Sequence, residues 1–118
     1  MELPKETTTI IETLQKNNFE GFLVGGCVRD MLRKKIPADF DIATNANPEQ
    51  VKAIFKKSFS DNDLGTVTVF TGSKKDNLKE VQITTYRTEE QYKDKVRKGE
   101  LLIHSFSYGY LFYLVISM

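Results

Sequence analysis

Apolar side chains recur at Ile10, Ile11 and Leu14 within residues 5–16, a spacing that lines one face of a helix. Asn17-Asn18 ends that pattern, and residues 19–24 form a short, largely apolar run that reads as a buried strand stopping at Gly25-Gly26. Residues 27–33 return to helical spacing, with Val28, Met31 and Leu32 as the expected buried side. Residues 34–38 contain Pro37 and read as a turn, and residues 40–43 as a second short strand. Asn47 is a good N-cap ahead of Pro48 at the first helical position and Glu49 in the first turn. A third helix is therefore predicted over 48–55, presenting Val51, Ile54 and Phe55.

Further on, residues 58–61 read as an edge strand. Residues 66–70 and 81–86 are rich in β-branched and aromatic side chains, and the turn residues of 72–77 between them predict a hairpin. The order helix, strand, helix, strand, helix, then a mainly antiparallel strand run predicts an α+β domain with helices packed on one sheet. Residues 101–118 crowd aliphatic and aromatic side chains together. The segment falls short of the ~20 apolar residues of a membrane-spanning helix, and His104, Ser105, Ser107 and Gly109 interrupt it. A core strand or helix is expected there, with no membrane contact.

Composition narrows the class. A chain of 118 residues with 40% hydrophobic and 28% charged content suits one ordinary globular domain that needs no covalent staples. The single cysteine, Cys27, excludes an intramolecular disulfide and a Cys-rich zinc site. The first nine residues are polar and charged, unlike a signal peptide, so a cytoplasmic protein is expected. A net charge of +1 gives no global field for nucleic acid. Local clusters stand at Arg33-Lys34-Lys35, Lys56-Lys57, Lys74-Lys75 and residues 93–98. Such runs are usually solvated faces, and residues 93–98 are the best candidate among them for phosphate contact.

Two features suggest chemistry. Gly25-Gly26 lies between a predicted strand and a predicted helix, where a backbone without side chains can approach a ligand closely. A helix N-terminus there favours an anion, and a triphosphate is the natural guest. Arg29, in the first turn, adds a planar charged fork for phosphate oxygens, and Asp30 beside it suits ribose hydroxyls or the orientation of Arg29. Alone, a glycine pair is most often just a turn. The second feature is Asp39 and Asp41, which on a strand project to one face. Two neighbouring carboxylates repel unless a hard divalent cation bridges them, and magnesium favours such oxygen ligands. A pair of metal ions so held would activate a hydroxyl nucleophile and neutralise departing pyrophosphate. Alone, Asp-x-Asp is common on exposed strands.

The ordered combination is far more specific. Gly25-Gly26-Cys27-Val28-Arg29-Asp30, then Asp39-Phe40-Asp41-Ile42-Ala43-Thr44 and Pro48-Glu49-Gln50-Val51, resembles the signature of class II tRNA nucleotidyltransferases, which include CCA-adding enzymes and bacterial poly(A) polymerases. Gly65-Thr66-Val67-Thr68-Val69 and Ile83-Thr84-Thr85-Tyr86-Arg87 look like two later strands of that family. The resemblance covers residues 19–89 and implies a polymerase-β-like head using two Mg2+ ions. Asp39 and Asp41 would be its catalytic metal ligands, and Gly25, Gly26, Arg29 and Asp30 would bind the incoming CTP or ATP. The nucleophile would be the 3′ hydroxyl of tRNA. Poly(A) synthesis, or a nucleotide-binding remnant without turnover, are the alternatives.

The sequence departs from the family at Gln82, where a third acidic residue is usual; Glu80 shares that face of the strand one pair further along. No Arg-Arg-Asp-Phe-Thr-like segment follows residue 89, and the neck, body and tail of the family find no counterpart. The expected organisation is a nucleotidyltransferase head over 1–90 and an incomplete or atypical end over 91–118, a truncated head whose apolar end could mediate self-association. Cys27 is expected to be a small buried side chain; a helix N-terminus would lower its thiol pKa, but no histidine lies near to make it a nucleophile. His104, the single histidine, and the tyrosines Tyr108, Tyr110 and Tyr113 are expected to serve packing. Lysine-bearing glycine loops of P-loop enzymes and kinases are absent from the sequence.

Overall fold

The computed structural model describes residues 3–61, 65–85, 102–106 and 109–113. Three helices, α1 (Lys5–Lys16), α2 (Gly26–Leu32) and α3 (Pro48–Ile54), alternate with the first strands of one mixed sheet. The strands are β1 (Gly21–Val24), β2 (Asp41–Thr44), β3 (Ser58–Asp61), β4 (Thr66–Phe70), β5 (Glu80–Thr85), β6 (Leu102–Phe106) and β7 (Gly109–Tyr113). Their spatial order is β3-β4-β5-β2-β1-β6-β7. Every neighbouring pair is antiparallel except β2 and β5, which run parallel at the centre. This is the α+β architecture expected from the sequence, and β4–β5 is the predicted hairpin.

The helices share one face of the sheet. Ile10, Ile11 and Leu14 of α1, Cys27 and Val28 of α2 and Val51 of α3 form one buried cluster with Leu23, Ile42, Val67, Val69, Val81 and Ile83 from the strands. The strand members alternate, so β4 and β5 turn Val67, Val69, Val81 and Ile83 inward and Thr66, Thr68, Glu80 and Gln82 outward. Gly21 is a close approach: a methyl group there would meet Leu14 Cδ1 at 3.2 Å, so α1 rests directly on β1. The N-cap reading at Asn47 holds, and Gln50 completes a reciprocal capping box: Asn47 Oδ1 accepts from Gln50 N at 2.8 Å and Gln50 Oε1 from Asn47 N at 2.9 Å. At the far end of α1, the Ser73 hydroxyl donates to Glu6 at 2.7 Å and holds that carboxyl below its ordinary pKa.

Three expectations need correction. Leu32, expected inside, is 50% exposed, because α2 stops there and its inward face is Cys27 and Val28, with Met31 half-buried. The second strand starts at Asp41 rather than at residue 40, which leaves Asp39 in the preceding loop. Residues 19 and 20 likewise precede β1 rather than open it. Of the two forms expected for the apolar end, residues 102–106 and 109–113 take the strand: β6 pairs with β1 in the same sheet, and β7 with β6. Residues 86–101, including the basic run 93–98, lie outside the described residues, as do the side chains of 101–118 on which self-association would rest. No helix among the described residues is long and apolar enough to cross a membrane.

Candidate nucleotidyl-transfer site

The glycine turn and the aspartate strand are neighbours in space because β1 and β2 pair antiparallel, with Val24 opposite Asp41. The chain leaves β1 one residue before Gly25, so the turn begins beside the Asp41 carboxylate. Gly25 adopts φ 82° and ψ −152°, a region that only glycine occupies without strain. A methyl group on it would lie 3.9 Å from Asp41 Oδ2. One built on Gly26 would lie 3.5 Å from Arg29 Nη2, so the guanidinium folds back over the turn. Gly25→Ala is therefore expected to cost about 1–3 kcal/mol through backbone strain. The check is the denaturant midpoint of the variant; an unchanged midpoint would contradict the positive φ.

Asp41 sits half-buried at the head of β2, and Asp39 is exposed in the loop before it. Between them Phe40 is 2% exposed, its ring in the core and its carbonyl accepting from Gln82 N at 3.2 Å. This single anchored residue places a carboxylate on either side of it, both away from the core. On its other flank Asp41 is in register with Gln82 of β5, which in turn faces Thr68 of β4. Gln82 thus stands immediately beside Asp41, and no group of three or more His, Cys, Asp or Glu side chains that could hold a metal occurs among the described residues. The two aspartates remain a suitable donor set for magnesium, which commonly binds through one or two carboxylates and completes its shell with water and substrate phosphate.

Cys27 lies directly below the turn. Its thiol donates to the Val24 carbonyl at 3.2 Å and is buried. Burial pushes the thiol pKa up, the backbone hydrogen bond beside Asp41 opposes this, and the Asp41 charge adds to the rise. The helix N-terminus expected to lower it loses to desolvation, and the thiol is a packing group beneath the turn.

The register of β2 is locked at its other end by residues that the motif contains but whose partners it does not reveal. The Thr44 hydroxyl, on a side chain that is 0% exposed, donates to the Glu20 carbonyl at 2.6 Å and accepts from Ala46 N at 3.2 Å. Thr85 of β5 donates to the Ala46 carbonyl at 2.7 Å, and Asn45 Oδ1 accepts from Glu20 N at 2.8 Å. A slip of one residue would turn Asp41 into the core, and the three of these bonds that reach Glu20 and Thr85 oppose it.

The family described as "Poly A polymerase head domain" matches residues 21–105, which include the turn, both aspartates and Gln82. This chain belongs to the poly(A) polymerase head-domain family. Among curated relatives of this head domain, a CCA-adding enzyme of Lactobacillus delbrueckii subsp. bulgaricus is 44% identical over 94 residues, 79% of this chain and 22% of the relative. Poly(A) polymerase I of Haemophilus influenzae is 46% identical over 56 residues, 48% of this chain and 12% of that protein. The crystal structure of the Bacillus stearothermophilus CCA-adding enzyme in complex with CTP superimposes with a TM-score of 0.69 at 29% identity, covering 94% of this chain and 30% of the other. The head domain therefore spans about a fifth of the length of the CCA-adding relative it matches.

Proposed function

We propose that this chain is the catalytic head of a template-independent RNA nucleotidyltransferase, which transfers nucleotides from CTP and ATP to the 3′ hydroxyl of tRNA. The observation that carries this reading is the abutment of the glycine turn on Asp41, which sets a backbone open to close approach against a carboxylate of the kind that suits a divalent metal. In this reading Asp39 and Asp41 would hold Mg2+. When bound, the metal supplies activation of the attacking hydroxyl and charge neutralisation on the leaving pyrophosphate. Gly25 and Gly26 admit the triphosphate to the backbone, the Arg29 guanidinium over the turn takes phosphate oxygens, and Asp30 faces the sugar or orients Arg29. The CTP complex of the Bacillus stearothermophilus relative and the names of the CCA-adding relatives support this reading; the cytoplasm is its proposed setting.

Poly(A) synthesis is a second reading, favoured by the Haemophilus relative. A nucleotide-binding domain without turnover is a third, favoured by Gln82, a neutral amide in register with Asp41. Calorimetric titration with CTP and ATP, with and without magnesium, tests the binding step. Magnesium-dependent binding that weakens at least tenfold in the Asp39→Ala/Asp41→Ala double variant is expected; equal binding by the two proteins would overturn the site. Incorporation of labelled nucleotide by the chain would reject the reading without turnover.

A further inference from the structure

Asp41 belongs to a row of residues that crosses the outward face of the sheet. Gln82 is its register partner on β5, Thr68 is the partner of Gln82 on β4, and Phe59 is the partner of Thr68 on β3. Phe59 is 64% exposed although it is a phenylalanine in a strand. It lies three strands from Asp41, about 14 Å at the usual strand spacing. Among the described residues, the row between them holds the polar side chains of Thr68 and Gln82, and none of the described helices packs on this stretch of the face. The ladder extends one residue beyond β3, where Phe70 N donates to the Lys57 carbonyl at 2.9 Å. Lys57 therefore precedes Phe59 by two residues on the same side of the strand, and both Lys56 and Lys57 are exposed.

An exposed ring with a cation two residues before it, in line with the candidate catalytic carboxylate across a polar strip, has the composition of a single-stranded nucleic-acid track. Bases stack on aromatic faces in a sequence-tolerant way, and neighbouring cations follow the phosphates. We propose that Lys57 and Phe59 form a docking step for the single-stranded RNA substrate on the outer edge of the head, with Phe59 stacking a base and Lys57 contacting the adjoining phosphate. This rests on the nucleotidyl-transfer reading for the identity of the substrate, but not for the binding measurement.

The test is anisotropy of a short fluorescein-labelled single-stranded RNA titrated with the chain at several salt concentrations. Phe59→Ala is expected to weaken binding about 5- to 100-fold, and Phe59→Tyr to restore most of it, in line with the usual range for one stacked base. Lys57→Gln is expected to weaken binding and to flatten the salt slope by about 0.7, the value for one phosphate on a single strand. In Phe59→Trp, the indole emission is expected to be quenched at saturating RNA. Wild-type RNA affinity in both Phe59→Ala and Lys57→Gln would overturn the proposal, as would an unquenched Phe59→Trp. Loss of self-association in Phe59→Ala with unchanged RNA binding would assign the ring to a protein contact and overturn it too. The titration contains neither nucleotide nor magnesium, so failure of nucleotide transfer and failure of this step are read separately.

Discussion

Asp41→Asn is expected to lower incorporation of labelled nucleotide into a tRNA lacking its 3′ end by about a thousand-fold or more, the several kcal/mol that a correctly held metal contributes to a transition state. Asparagine keeps the size of the side chain and its place opposite Val24 and beside Gln82, while removing the charge. Thermal unfolding of the variant is therefore expected to match or exceed that of the wild type, so the loss reads as chemistry rather than folding. Asp76→Asn is the control: that carboxylate is almost wholly exposed and, among the described residues, pairs with Lys79 at the surface at 3.0 Å. A rate for Asp41→Asn within tenfold of wild type would remove the residue from the site.

Phe40→Ala is expected to destabilise the domain by about 3–5 kcal/mol, the usual cost of emptying a buried phenylalanine site. Its ring is 2% exposed and belongs to the cluster that joins α1, α2 and the sheet. Phe40→Leu fills most of the same space and is expected to cost about 1 kcal/mol. Urea midpoints of the two variants check the pair; a loss below about 1 kcal/mol for alanine would mean the ring carries no packing. At temperatures where the leucine variant remains folded, its nucleotide binding reports whether the ring positions the flanking aspartates beyond merely stabilising them.

Local pattern made much of this architecture readable. α1, β3 and β4 occupy the predicted spans, because periodicity of three to four, or of two, continues there until a turn residue stops it. The glycine turn and Asp41 were legible as motifs, and their meeting follows from the β1–β2 pairing. Other features depend on partners far along the chain. Leu32 reads as part of an apolar helical face, yet α2 ends before another turn could carry it over the sheet. Asp39 alternates correctly with Asp41, but the ladder to β1 ends at Asp41. Thr44 and Thr85 look like ordinary strand residues until their hydroxyls are seen bonding Glu20 and Ala46. The parallel pairing that sets Gln82 beside Asp41 has no local signature, since it joins segments about 40 residues apart.

That central parallel pair also bears on how the domain comes to exist. The β1–β2 and β4–β5 neighbours can meet after closing short loops, whereas β2 and β5 must close a much longer one before any contact repays its entropy. Asp41 and Gln82 therefore meet at a larger loop-closure cost than either of those pairs, and Val24 and Leu102 of β1 and β6 at a larger one still. The glycine turn and Asp41 are joined by the β1–β2 pair alone, whereas the polar row from Asp41 across to Phe59 exists only where β2, β5, β4 and β3 are all paired.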